Sequence, residues 1–429
     1  MVTSFWVRAL GGALLLVACA GCLRRAPAPS ERASAKQPAS AAVLAAAPGP
    51  SASGLNAALP DAAARGKELV QRYECNRCHE GTGLGTAVLT KNCFSCHERI
   101  MQGRFPVGAA ALARFRPHVE SAREAPSLSA IGQRLQASWI RSYLLSPRDL
   151  RPKLTPTMPR LALDAEQASD IVAYLTAGTG PDSVPALPDG NAERGRELMD
   201  QKGCAGCHAF GGVPDFTALE PAPPGSEAAR AAALAPDLRF TRERFRKDQL
   251  LAWLQDPKAI KADTRMPSFG LSLDEASDIA SYLLGAPLTP EGRPSFVALP
   301  LLTRHVAFDE VNRRVFSRTC HHCHTDAESS GGDGGPGNTG GFGFAARGVS
   351  FSSHASILAG YVDASGERRS LFEPLADGTP RLVAALLARH DEQNQTPRGD
   401  VRGMPLALPP LRADDIQLVA SWVAQGKPL

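Results

Sequence analysis

Cys75-Asn76-Arg77-Cys78-His79 sets the reading of this 429-residue chain. Its pattern, C-x-x-C-H, returns as Cys93-Phe94-Ser95-Cys96-His97, as Cys204-Ala205-Gly206-Cys207-His208 and as Cys320-His321-His322-Cys323-His324. Cysteine and histidine each occur 10 times. A scrambled chain of this composition would contain about 0.005 such matches.

The spacing carries a chemistry. Two cysteines three positions apart can each form a thioether with one vinyl group of a haem, and a histidine that follows at once reaches the iron from the tethered side. Zinc would pair a C-x-x-C with further cysteines or histidines, and disulfides would suit an exported chain. Neither reading accounts for a histidine in the fifth position four times. The expected cofactors are four covalently attached haem c groups. They are carried by Cys75 and Cys78, Cys93 and Cys96, Cys204 and Cys207, and Cys320 and Cys323, with His79, His97, His208 and His324 as the first iron ligands.

Residues 1–18 read as an export signal: Arg8 precedes an apolar run, Ala9 to Ala18, too short to span a bilayer as a mature helix. The run ends Leu16-Val17-Ala18-Cys19, which resembles a bacterial lipobox and makes Cys19 the expected lipidated residue. Cys22 is the alternative, and an ordinary cleaved signal is another. Acyl chains on Cys19 would hold the protein on a membrane surface. An Ala/Pro/Ser-rich stretch from Arg24 to about Leu59 reads as a tether, so residues 19–60 form a lipid-anchored linker. Covalent haem attachment takes place outside the bacterial cytoplasm. The expected location is the periplasmic side of the envelope, and alanine after Cys19 points to the outer membrane. The net charge of +4 carries no nucleic-acid role.

The body repeats. Arg65-Gly66-Lys67-Glu68-Leu69 precedes the first motif and Arg194-Gly195-Arg196-Glu197-Leu198 the third, each on an amphipathic helix. Ala125-Pro126-Ser127-Leu128 matches Ala235-Pro236-Asp237-Leu238. The segment around Trp139 to Leu144 ends in Pro147, and that around Leu251 to Leu254 ends in Pro257. Thr157-Met158-Pro159 matches Arg265-Met266-Pro267. Each unit closes with a helix, Glu166 to Leu175 and Glu275 to Leu284, with apolar residues at helical spacing.

This order resembles class I cytochrome c. The resemblance implies an all-α fold of three tandem cytochrome c-like domains: a di-haem domain over 61–180 and mono-haem domains over 188–287 and 303–429. It implies that the leading helix of each unit crosses the closing helix closely at Gly66 and Gly195, with Tyr174 and Tyr282 packed over the crossing. It also implies that the Pro126 and Pro236 carbonyls accept a hydrogen bond from the ligand histidines. In the third unit Val311 stands where the glycines stood, and the expected helices run from Phe308 to Arg318 and from Leu411 to Gln425. A Gly-rich insert, Gly331 to Gly348, reads as a surface excursion.

A methionine on the far face of a haem raises its potential and closes the site. Met158, Met266 and Met404 each precede a proline in the closing half of a unit, so His79 pairs with Met158, His208 with Met266 and His324 with Met404. The second haem, at His97, lies in an insertion without a Met-Pro pair; Met101, four residues after His97, would share its helical face and cannot reach across the haem. His118 is its expected second ligand, and an open or water-bound site is the alternative. The function expected is electron transfer between a redox-protein donor and acceptor. A haem oxidoreductase acting at the second haem, or a subunit of a larger respiratory complex, are the other readings.

Overall fold

The computed structural model describes residues 55–180, 189–210, 216, 220–286, 295–326, 335–397 and 401–429. The export signal, Cys19 and the tether up to residue 54 lie outside the described residues. Among those described, no helix is long and apolar enough to cross a membrane. Residues from Ser53 onward form one compact unit.

The first leading helix is longer than its sequence pattern suggested. It runs Leu55–Arg72 and so begins inside the stretch expected to be tether. The closing helix, Ala165–Leu175, starts at a capping box in which the Asp164 carboxylate accepts from the Glu166 and Gln167 amides. The two helices cross where Gly66 leaves room: a Cβ there would overlap the Asp170 carbonyl. Arg65 clamps the crossing, donating from Nε and Nη2 to the two Asp170 oxygens at 2.8 and 2.7 Å. The second unit repeats the device. Ala192–Gln201 crosses Leu273–Gly285 at Gly195, whose Cβ would overlap the Asp278 carbonyl, and Asp278 accepts from the Asn191 amide at 2.7 Å. Tyr174 lies against the first crossing and donates to the Thr82 carbonyl at 2.9 Å, while Tyr282 is buried in the second.

Units 1 and 2 meet through equivalent residues. Arg134-Leu135-Gln136 and Arg244-Phe245-Arg246 occupy matching places in the repeat, each ahead of the helix that ends at Pro147 or Pro257. Leu135 and Phe245 form an antiparallel bridge. The Gln136 amide donates to the Arg244 carbonyl at 2.9 Å, and the Arg246 amide to the Arg134 carbonyl at 2.7 Å. Ile131, Leu135, Ile140 and Val172 of the first unit share one apolar cluster with Leu250 and Ile279 of the second. Met199 is fully buried in that cluster, a core position.

The third unit departs from the repeat. Val311 is fully buried where a glycine would allow the closest approach. The leading helix is α-helical only over Phe308–Val311 and widens to a π-helix over Asn312–Cys320. Its closing helix, Ala413–Ala424, carries Trp422, fully buried among the rings of Phe308, Phe316 and Phe372 with centroids 5.9, 5.6 and 5.8 Å away. A short antiparallel ribbon sets Tyr361 opposite Arg369 and Val362 opposite Arg368.

This unit docks on the first. The fully buried Arg389, on the helix Arg381–Gln393, donates from Nε to the Leu408 carbonyl at 3.0 Å and lies 3.7 Å from Asp149. The Thr157 amide donates to the Ala407 carbonyl at 2.9 Å, joining the loops that carry Met158 and Met404. The part of the Gly-rich insert that is described, 335–348, corrects the expected surface excursion. Phe342 donates its amide to Glu74 at 3.1 Å and receives the Arg77 guanidinium on its ring. Gly343 lies so close to the Tyr73 ring that a Cβ would overlap it, and Gly337 abuts the His324 imidazole in the same way. The insert is a clamp between units 1 and 3, and its glycines are there because two surfaces approach along it.

Candidate haem centres

The C-x-x-C-H motifs adopt one local shape in units 1 and 2. Cys75–Arg77 and Cys204–Gly206 form single 3-10 turns that follow a residue in the left-handed region, Glu74 and Gly203. The amides of His79 and His208 then donate back to the Cys75 and Cys204 carbonyls, both at 2.9 Å. The turn brings both thiols and the imidazole to one side. The second motif differs: it opens a helix, Cys93–Met101, capped by Asn92. Met101 packs with Ile100 and Phe105 rather than standing across from His97.

Three imidazoles are aimed in the same manner. The Nδ1 of His79 is 2.8 Å from the Pro126 carbonyl, that of His208 is 2.8 Å from the Pro236 carbonyl, and that of His97 is 2.6 Å from the Ala122 carbonyl. A carbonyl can only accept, so Nδ1 carries the proton and Nε2 keeps its lone pair for a metal. Burial pushes all three below the ordinary histidine range, His208 to about 4, which keeps the rings neutral. His324 is held otherwise. Its Nδ1 makes no hydrogen bond of good geometry, and the nearest backbone groups are those of Gly337 and Val349.

None of the eight motif cysteines lies in a disulfide. Burial raises Cys75, Cys96 and Cys204 to about 11 and Cys320 to about 12. Such thiols are neither thiolate nucleophiles nor ready zinc ligands. Among the described residues no group of three or more His, Cys, Asp or Glu could hold a metal ion.

A cavity of about 1110 Å³ lies beside the first, second and fourth motifs. It exceeds the ~300–1,000 Å³ of an ordinary small-molecule site. Met158 and Met404 line it with His79, His97, His118 and His324. Met266 and the third motif are not among its lining residues. Arg134 and Arg244 also face it, and the Nε of each finds no acceptor. Burial, then neighbouring cations, depress them to about 10 and about 9. Arginine does not give up its proton in a protein, so these values mark a missing anionic partner. A haem supplies the elements this cavity lacks: an apolar plate, an iron for the free Nε2 atoms, vinyl carbons for the thiols and carboxylates for the arginines. The residues fit the group.

The family model for cytochrome c matches residues 63–178 and 192–287. The chain carries two cytochrome c domains. Its two matched domains imply covalently bound haem c, and its third haem-motif unit, from Phe308 to the closing Trp422 helix, lies beyond the matched residues. Comparison of the cytochrome with curated proteins and with solved structures finds no match.

Several residues of the site were not legible in the sequence. The Ala122 carbonyl accepts from His97, where a proline serves in the other two cases. Arg134 and Arg244 sit at equivalent repeat positions, and that equivalence was the available signal. His118 is exposed on the helix Ala109–Val119, and it makes no ring contact with His97 among the described residues. The ring that faces His97 is that of His322.

Proposed function

We propose that the protein is a four-haem electron carrier, fixed by a lipid on Cys19 to a membrane surface outside the cytoplasm. The observation that carries this reading is the repetition of one arrangement. Four C-x-x-C-H motifs each present two thiols outside any disulfide, and three of their imidazoles are held at Nδ1 by a backbone carbonyl. Haem iron, when bound, supplies reversible one-electron chemistry. The protein's own residues do the rest. The carbonyls of Pro126, Ala122 and Pro236 orient the rings. Met158, Met266 and Met404 offer sulfur for the far face of the irons at His79, His208 and His324, which favours a high potential. Buried leucines and isoleucines keep water from the cavity.

Proximity supports a conducting role. The Cys78 thiol lies within hydrogen-bonding reach of Cys93, so the attachment points of the first and second haems adjoin. Residues of three motifs line one cavity. Electrons entering from a donor protein can therefore be passed among neighbouring centres before reaching an acceptor.

The intact mass of the holoprotein should equal the processed chain plus four haems. A Cys93→Ala, Cys96→Ala double variant should carry three. A wild-type mass with three haems or fewer would refute the four-haem reading. Anchoring has its own check. Cys19→Ser should move the protein from the membrane fraction to the soluble fraction and abolish incorporation of radiolabelled palmitate. An unlabelled wild-type protein would remove the lipid anchor from the proposal.

A further inference from the structure

We propose that His322 is the second axial ligand of the haem carried by Cys93 and Cys96, with His97 as the first. This rests on the four-haem reading. The ligand would come from the third unit to a haem attached to the first.

The geometry points there directly. The imidazole centroids of His97 and His322 are 5.6 Å apart, with the rings inclined at 50°. With a metal–nitrogen bond of about 2 Å and the ring centre roughly 1 Å behind the nitrogen, two imidazoles on opposite faces of one iron have centroids about 6 Å apart. Simple ring packing covers the same range of distances, so the surroundings must decide. His97 has its Nδ1 committed to Ala122, which turns Nε2 away from that carbonyl. His322 keeps an exposed ring surface, lines the cavity and faces His97. Among the described residues its ring makes no hydrogen bond. A ring placed there, 5.6 Å from that of His97 and on the cavity wall, can offer a nitrogen to an iron on the His97 side.

The motif explains how His322 gets there. Cys320, Cys323 and His324, which line the cavity, would hold the fourth haem. His321 is tied at Nε2 to the Thr325 hydroxyl, 3.0 Å away. His322 is left to point outward. A residue locked inside one haem motif cannot reach the far face of its own iron, but it is well placed to reach a neighbouring one. The clamp formed by 335–348 and the contacts of Arg389 hold the two units at the distance this requires.

The consequence is a bis-imidazole centre, of lower potential than its His/Met neighbours. One motif would serve two haems: Cys323 and His324 hold the fourth while the adjacent His322 holds the second.

The test uses the full-length holoprotein with His322→Ala, His322→Met and His118→Ala. His322→Ala should retain four haems by mass, since no thioether is touched. One haem in four should turn high-spin in the electron paramagnetic resonance spectrum and bind one equivalent of carbon monoxide when reduced. Added imidazole should restore the low-spin spectrum, which a loss of mere packing would not allow. His322→Met should stay six-coordinate with one midpoint potential raised. His118→Ala should match the wild type. Ligation by His322 is overturned if His322→Ala stays wholly low-spin, if His118→Ala yields the high-spin haem, or if the wild type already binds carbon monoxide at the second haem. A wild-type mass short of four haems would instead strike the reading on which the proposal rests.

Discussion

Gly195→Ala will destabilise the second domain, although it replaces a poor helix former with the best one. In an exposed helix interior that exchange gains about 1 kcal/mol. At Gly195 the added methyl would fall against Asp278 O and C and Ile279 N, all of them backbone. They belong to a helix fixed at its start by the Ser272 and Glu275 capping box, so they cannot swing aside as a side-chain tip could. Overpacking of this kind costs about 1–3 kcal/mol, and more where backbone must shift. The net expected loss is about 2 kcal/mol, seen as a melting temperature lower by several degrees. Gly285→Ala, at the end of the partner helix Leu273–Gly285, is the control, because a Cβ there meets nothing within 4 Å. Equal melting of the two variants would mean that the helices do not cross at Gly195.

Arg389→Ala is the second large effect. The side chain is completely buried, yet it reaches Asp149 of the first unit and the Leu408 carbonyl of its own. Removing one member of a buried pair costs about 3–5 kcal/mol, mostly because the other charge stays buried without it. Denaturant unfolding followed by haem absorbance should show the third unit releasing at lower denaturant than the first two. A loss under about 1 kcal/mol would be the value of an exposed ion pair and would contradict the docking.

What the sequence made legible was local or repeated. The motif spacing named the thiols and first histidines. The repeat placed Gly66 and Gly195 at the crossings, and the Pro126 and Pro236 carbonyls are indeed 2.8 Å from Nδ1 of His79 and His208. What stayed hidden depends on contacts between distant segments. Nothing in the composition of 331–348 says that Phe342 will meet Glu74, since glycine reads equally as freedom or as room for a close neighbour. The π-helical winding of Asn312–Cys320 hid because its apolar spacing still suits an α-helix. His322 reads in the sequence only as an inner residue of the fourth motif; its approach to His97 appears only in three dimensions.

The bridge between Leu135 and Phe245 has a consequence for assembly. An interface in which position i of one half meets position j of the other, and the reverse, is isologous, the arrangement by which two-fold homodimers associate. Here both halves belong to one polypeptide. Joining them turns a bimolecular association into an intramolecular one, with an effective concentration on the order of millimolar for a short linker. The two reciprocal hydrogen bonds and the shared cluster around Ile131 and Ile279 need only a modest affinity to keep the pair closed at any dilution. The first two units are a dimer that cannot dissociate by being diluted.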